Sequence, residues 1–477
     1  MLEGEFLLSG GAGDAAGRVE VRNPADTSEV VGTYPLLEVH HVDAAVEAAQ
    51  AAQRAWASRP AVARAEALLA AIPDIEAIAG LDELLVREQG KVLWEATFEV
   101  GFYEMAARAA CEYAETLDRG ELRVDDGMGR ILIFAEPIGV AGIITPWNFP
   151  FAISAQKVIS ALLAGNGVVL AVAPSTPFTC LAGFRALASH LPDGLLAVVA
   201  GPPKIGQRLV EHPDAGKISF TGSTATGRVI MRSAAENLKN LTLELGGNDA
   251  AVILPDQPLD ERLFGELVSG AFTTTGQVCL AVKRVYAPAE KVGDLAQGIA
   301  DLLDEYVIGP GLDPASMMGP LHTARQRDHV VDLVEEARAG GATVRECGEL
   351  RGDPERGHFL RPAVVTGIDQ RARLVREEQF GPALPIVGYG DVDEAIAMAN
   401  DSEYGLCSSL WTTDEEYGMR LARRLQAGST YVNSHGLFSV DPRAPFGGVK
   451  ASGVGRELGL EGVLDFCERH TISNRHL

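Results

Sequence analysis

The chain has 477 residues, 47% of them hydrophobic and 22% charged, with a formal net charge of −24. That length is too great for one hydrophobic core and predicts two large domains with a small appendage. The acidity argues against a nucleic-acid partner, which needs clustered Lys and Arg, and reads as a device for solubility.

No apolar run reaches the length of a membrane span, so no membrane partner is expected. Met1-Leu2-Glu3-Gly4-Glu5 is acidic where a secretory signal is basic. Cys111, Cys180, Cys279, Cys347, Cys407 and Cys467 are scattered without a CxxC pair or a Cys/His cluster. A reduced, cytoplasmic protein without disulfides or metal is therefore expected.

Residues 1–40 read as an arm with short strands, including Val19 to Val21 before Asn23-Pro24. Asp43 is a candidate cap for a helix carrying Ala45, Ala48, Ala49, Ala52 and Trp56 at helical spacing. Pro60, Pro73 and Gly80 punctuate further helices. Residues 91–117 read as one long helix, with Trp94, Phe98, Phe102 and Met105 as a core stripe. Asp125-Asp126-Gly127 is a hairpin turn between Leu122-Arg123-Val124 and Arg130 to Phe134.

From Ile138 the pattern alternates. Strands are predicted at 139–144, 168–172, 195–199 and 218–220, with helices at 151–164, 177–189 and 205–210. This is the pattern of a doubly wound parallel sheet. A second alternating block has strands at 251–254, 284–286, 384–387 and 429–432. Its helices are predicted at 259–273, 290–305, 323–339, 393–400 and 414–426. The fold class is α/β.

Six stretches carry chemistry. Phe220-Thr221-Gly222-Ser223 joins a strand to a helix, where free N–H groups favour phosphate. Leu243-Glu244-Leu245-Gly246-Gly247 sets a carboxylate in apolar surroundings, which raise its pKa and suit it to act as a base. Thr145-Pro146-Trp147-Asn148 ends the first parallel strand, where such sheets bind ligands, and an Asn amide there can donate to an oxyanion. Glu377-Glu378-Gln379-Phe380-Gly381-Pro382 and Pro445-Phe446-Gly447-Gly448 are Gly-punctuated loops. The central stretch is Phe272-Thr273-Thr274-Thr275-Gly276-Gln277-Val278-Cys279. On its own it is compatible with a reactive cysteine or with one packed as a small hydrophobe.

Together and in this order, these motifs resemble the aldehyde dehydrogenase superfamily over nearly the whole chain, from Asn23-Pro24 to Gly453-Val454-Gly455-Arg456-Glu457. The resemblance implies a Rossmann-like cofactor domain, a second α/β catalytic domain and a small β-hairpin oligomerisation domain. These correspond to residues 1–119 with 138–246, to 247–447, and to 120–137 with 448–477. The hairpin is expected to pair with a C-terminal strand, and a homodimer or homotetramer follows.

The activity implied is NAD(P)-dependent oxidation of an aldehyde to an acid. Cys279 attacks the carbonyl, and Asn148 with the Cys279 N–H holds the oxyanion of the thiohemiacetal. After hydride transfer, water activated by Glu244 hydrolyses the thioester, with Lys157 relaying its proton. A free thiol is a poor nucleophile at neutral pH, so the site has to favour thiolate. Glu378 and Phe380 match residues at the nicotinamide ribose, and Trp147, Gly222 and Ser223 match residues along the dinucleotide. Phe149, Tyr103, Leu280, Leu437 and Phe438 match tunnel positions and suggest an apolar aldehyde. Lys283 and Arg443 are the cations a charged substrate would have to use.

The chain departs from the family pattern in the segment that meets the adenosine ribose. Ala171 stands where lysine is usual, and Pro174 where NAD-preferring members often have glutamate. Loss of one charged hydrogen bond is worth roughly 1.5–3 kcal/mol. The expectation is weakened cofactor affinity and poor discrimination, with NAD slightly favoured over NADP. Lys204 or Arg208 would be the compensating groups. Thr274-Thr275 and Asn248 are smaller departures. Two alternatives accompany this reading: a scaffold protein that has lost cofactor affinity, and a CoA-acylating enzyme, against which Glu244 argues.

Overall fold

The computed structural model describes residues 2–8, 13, 15 and 17–476. A six-stranded sheet runs in the order Leu196–Ala200, Gly167–Val172, Val140–Ile144, Ala215–Thr221, Asn240–Glu244 and Gly453–Val454. All its neighbours are parallel except the last pair, where Leu243 faces Val454 in antiparallel register. Helices cover both faces. The strands Gly167–Val172 and Leu196–Ala200 are therefore buried throughout and read as unbroken apolar runs. Chain order reverses between Val140–Ile144 and Ala215–Thr221. The crevice beyond the carboxyl ends of those two strands is where such sheets take ligands.

The second sheet has seven strands, in the order Thr343–Glu346, Ala363–Thr366, Ala383–Tyr389, Val282–Pro288, Asp249–Ile253, Cys407–Trp411 and Ser429–Val432. Only its first pair is antiparallel. Cys407–Trp411 is fully buried although it carries the adjacent serines Ser408 and Ser409. Ser409 Oγ accepts the Trp411 indole N–H at 2.9 Å and bonds His435 Nδ1 at 2.8 Å, so hydropathy does not reveal this strand.

Glu121–Asp126 and Gly129–Pro137 form the hairpin. Cys467–Ser473 adds to its free side, from Cys467 opposite Pro137 to Ser473 opposite Ile131.

Three sequence expectations are corrected. The first long helix spans Val39–Ala57 and begins before Asp43; its capping residue is Glu38, whose N–H donates to His41 Nδ1 at 3.1 Å. Asp43 instead pairs with Arg208 at 2.5 Å. The 91–117 segment divides into Leu93–Cys111 and Ala114–Arg119. Its aromatic stripe is not core: Trp94 is 49% and Met105 44% exposed. The buried face carries Glu95 and Glu99. Glu95 accepts the Thr274 N–H at 2.5 Å, while Glu99 pairs with Lys91 and accepts the Phe151 N–H at 2.9 Å. Partnered carboxylates can be buried, and hydropathy assigns them to the wrong side.

Among the described residues, no helix is long and apolar enough to cross a membrane. Among the same residues, no group of three or more His, Cys, Asp or Glu side chains could hold a metal.

Candidate active site

Cys279 lies after the turn Thr273–Gly276, which closes the helix Glu261–Phe272. Thr274 and Thr275 both have left-handed φ, at 51° and 59°, a strained conformation for β-branched residues. Side-chain contacts hold them there. The Thr274 N–H is bound by Glu95, and Thr275 Oγ1 donates to the Gly319 carbonyl at 3.0 Å. Gly276 has φ 71°, and a Cβ there would lie 2.5 Å from the Gly381 carbonyl oxygen, so no other residue fits. Gly247 is constrained similarly, because a Cβ would lie 2.5 Å from the Cys279 carbonyl oxygen.

Asn148 reaches this turn from the end of the first strand. Its Nδ2 donates to the Gln277 carbonyl at 2.9 Å, leaving its second amide hydrogen for a ligand. Its own carbonyl accepts from Lys91 Nζ at 2.9 Å. That lysine is fully buried, pairs with Glu99 and sits 3.8 Å above the Phe149 ring.

The part-exposed sulfur opens into a cleft of about 710 Å³, measured to its mouth. Phe98, Phe102, Phe149, Ile153, Leu280, Leu437, Val440, Phe446 and Leu458 supply apolar walls. Glu99, Glu244 and Glu457 are the charged residues of the lining. Glu99 is paired with Lys91. Glu457 is paired with Lys157 and also accepts Gln156 Nε2 at 2.6 Å.

Glu244 differs from the other two. It is 4% exposed, and neither carboxylate oxygen has a hydrogen-bond partner of normal geometry. Burial raises its pKa well above the carboxylate range, and the Glu457 charge adds to this. Lys157 opposes the rise, and the Gly448 N–H exerts a lesser opposing pull. Burial also pushes the Cys279 thiol up to about 12, with Glu244, Asp249 and Glu378 raising it further and Lys283 pulling the other way.

A second group of residues lines the crevice between the two central strands. Gly222 donates to the Glu244 carbonyl at 3.0 Å, and Ser223 caps the helix Thr224–Ala234 by accepting the Thr226 N–H at 3.3 Å. The Thr221 hydroxyl beside them is buried without a partner. Trp147 meets Phe380 edge-on at 5.7 Å. Glu378 accepts the Gly247 N–H at 3.1 Å and is raised to about 7 by burial against the pull of Lys283. A Cβ on Gly246 would collide with the Glu378 carboxylate. A helix start for phosphate, a carboxylate for ribose hydroxyls and aromatic rings for bases make a donor set that fits a dinucleotide.

Of the sequence-selected residues, Cys279, Glu244, Phe149, Leu280 and Leu437 line the cleft. Lys157 reaches Ser219 Oγ at 2.9 Å and Glu457, one step behind the lining. Tyr103 is not in the tunnel. It points to the opposite side of its helix, stacks on Phe151 at 6.3 Å and donates to the Leu68 carbonyl at 3.2 Å. Phe438 stands at the rim, 56% exposed, against Trp94 at 6.2 Å and Phe98 at 5.0 Å. Lys283 is buried under Phe380 and bonds the Gly276 carbonyl at 2.8 Å, and Arg443 pairs with Asp441, so neither enters the cleft. Lys204 and Arg208 pair with Glu38 and Asp43. Asn248 Nδ2 donates to the Val375 carbonyl at 2.9 Å, a structural bond.

Sequence reasoning missed Lys91, Glu99, Glu457 and His322. Glu457 closes a quoted Gly-rich stretch, so a carboxylate after Gly-Arg was a usable signal. The others sit in no motif.

A parallel-sheet crevice beside a cysteine cleft is the architecture of a two-domain dehydrogenase. The aldehyde dehydrogenase family model matches residues 12–472, and the chain belongs to that family. It is an oxidoreductase of the aldehyde dehydrogenase type. A geranial dehydrogenase of Castellaniella defragrans is 37% identical over 444 residues, 92% of each chain. A glutarate-semialdehyde dehydrogenase of Pseudomonas putida is 34% identical over 470 residues, covering 98% of this chain and 95% of the relative. The crystal structure of a Mycobacterium tuberculosis aldehyde dehydrogenase complexed with NAD+ superposes with TM-score 0.91 at 36% identity, covering 96% of this chain and 95% of that one. Members of the family use NAD or NADP.

Proposed function

We propose that the protein oxidises an uncharged, apolar aldehyde to its carboxylic acid through covalent capture on Cys279. The observation that carries the substrate class is the cleft itself: apolar walls, acidic polar groups and no lining Lys or Arg. A carboxylate-bearing semialdehyde would meet Glu244 and Glu457 without a counter-charge, whereas each buried CH₂ contributes about 0.8 kcal/mol.

Each residue has a physical task. The Cys279 thiol releases its proton to water in the cleft, the sulfur bonds the carbonyl carbon as the C=O π pair moves onto oxygen, and the free amide hydrogen of Asn148 with the Cys279 N–H receives the developing oxyanion. One such donor is worth about 10²–10³ in rate. Lys91 and Gln277 hold Asn148 from two sides. When bound, the nicotinamide supplies the hydride acceptor, held by Glu378 and Phe380 beside Trp147, Gly222 and Ser223. Glu244, unpartnered and with a raised pKa, takes a proton from the water that hydrolyses the acyl-cysteine. Lys157 and Glu457 carry that proton onward. Splitting oxidation from hydrolysis in this way lowers each barrier.

A series of straight-chain alkanals and matched semialdehydes tests the reading. KM falls roughly three- to fourfold per added CH₂ while the tail stays within the cleft. A semialdehyde used better than the alkanal of equal length would sink the apolar assignment.

The hairpin sheet, with Leu122 at 55% and Ile472 at 47% exposure, is the proposed face for a homodimer or homotetramer. A light-scattering mass of one 50.5 kDa chain would exclude it.

A further inference from the structure

This inference rests on the dinucleotide placement above and concerns its adenosine end. In doubly wound sheets the ribose 2′ position is read beyond the second strand, by an acid for a free hydroxyl or by an arginine for a phosphate. Here that strand is Gly167–Val172, followed by Ala173, Pro174 and Ser175, none of them charged. The loop is held in shape: Tyr34 donates to the Pro174 carbonyl at 3.1 Å, and the Thr176 N–H closes a turn onto Ala173 at 3.1 Å.

His322 reaches this loop from the catalytic domain, just before the helix Ala324–Ala339. It is 6% exposed, and its ring lies flat against the Trp147 indole, 4.5 Å away and tilted by 13°. The His322 backbone N–H donates to Gln277 Oε1 at 2.8 Å. Nδ1 lies 3.0 Å from the Gln89 carbonyl oxygen and Nε2 lies 2.7 Å from Ser175 Oγ. A carbonyl only accepts, so Nδ1 carries the ring proton. Burial lowers the imidazole pKa to about 4, so the ring is neutral at pH 7. Nε2 is then an acceptor, and it takes the Ser175 hydroxyl proton. Half-buried Ser175 is left with lone pairs only. Such an oxygen can accept a ribose O–H, but it cannot donate to a phosphate. Lys204 and Arg208, the cations on the neighbouring helix, pair with Glu38 and Asp43.

We propose that His322 fixes Ser175 as an acceptor and thereby makes the cleft select a dinucleotide with a free ribose 2′-hydroxyl over its 2′-phosphorylated form. Ser175 contacts the cofactor, and His322 is a positioning residue. The pair supplies by hydrogen-bond direction the selectivity that the uncharged loop does not supply by charge.

Calorimetric titration with NAD and NADP, without aldehyde, tests the proposal on the full-length protein. Wild type is expected to bind NAD roughly tenfold or more tighter than NADP. Ser175→Ala weakens NAD binding roughly three- to tenfold, as for one neutral hydrogen bond, and leaves NADP within about twofold, whereas His322→Leu frees the Ser175 hydroxyl to donate and tightens NADP roughly three- to tenfold relative to NAD. The ratio of the two constants is the readout, because a general loosening of the fold would weaken both ligands together. Ser175→Ala removes a single oxygen from a half-buried site and keeps the test open if the histidine variant folds poorly. Equal or tighter NADP binding by wild type, or an unchanged ratio in Ser175→Ala, overturns the proposal while leaving the dehydrogenase reading intact. Binding of neither nucleotide overturns both.

Discussion

Replacing Glu244 by Gln keeps the shape of the side chain and removes a buried ionisable carboxyl whose oxygens have no hydrogen-bond partner of normal geometry. In its proposed role as base of the hydrolytic step it is worth about 10²–10⁴ in rate, so steady-state turnover should fall by that factor. Acylation should survive. The Glu244 charge is the second cause, after burial, of the high Cys279 pKa. Removing it therefore favours thiolate and moves the pH dependence of acylation towards acid. Stopped-flow absorbance should show a burst of reduced cofactor, near one per active site, followed by slow turnover. Stability supplies an independent check. A carboxyl whose folded pKa lies above its unfolded value destabilises the fold as pH rises beyond the unfolded pKa, near 4.3. The melting temperature of Glu244→Gln relative to wild type should therefore be higher at pH 8.5 than at pH 5. Loss of the burst would mean that Glu244 takes the thiol proton instead, and a gap in melting temperature independent of pH would contradict its raised pKa.

Cys279→Ser should abolish turnover while changing the calorimetric Kd for the cofactor by less than about twofold; a retained rate removes the nucleophile assignment. Lys91→Met leaves Glu99 as an uncompensated buried charge, which costs about 3–5 kcal/mol, and takes one of the two anchors from Asn148. Both the melting temperature and kcat should drop, and an unchanged melting temperature would contradict the buried pair. Tyr103→Phe loses one bond, to the Leu68 carbonyl, worth about 0.5–1.5 kcal/mol. It should lower stability without altering KM for any aldehyde, and a changed KM would return Tyr103 to the tunnel.

The two parallel sheets were legible because both faces of their strands are covered. Val168-Val169-Leu170 and Ala251-Val252-Ile253 have to be apolar wherever they occur in such a fold. The motif residues were legible because backbone geometry restricts them: Gly276 and Gly247 have no space for a side chain. Cys407–Trp411 was not legible, because its buried serines are satisfied by hydrogen bonds, Ser408 to Thr430 of the neighbouring strand and Ser409 to Trp411 and His435. The Leu93–Cys111 helix was read with its faces reversed, since Glu95 and Glu99 look solvent-facing until Thr274, Lys91 and Phe151 are placed against them.

By itself, the sequence determined the α/β layering and the succession of strand ends, because these depend on periodicity and on short-range steric constraint, while the roles expected of Cys279 and Glu244 came from the resemblance that the ordered motifs carry. Only the tertiary structure decided which side chains meet. It put Tyr103 in the core and Phe438 on the rim, placed the lysines behind the cleft instead of in it, and brought His322 onto Trp147 and Ser175. The physical reason is that hydrogen-bond partnership and charge pairing are long-range in sequence: Ser175 and His322 are 147 residues apart and 2.7 Å apart in space.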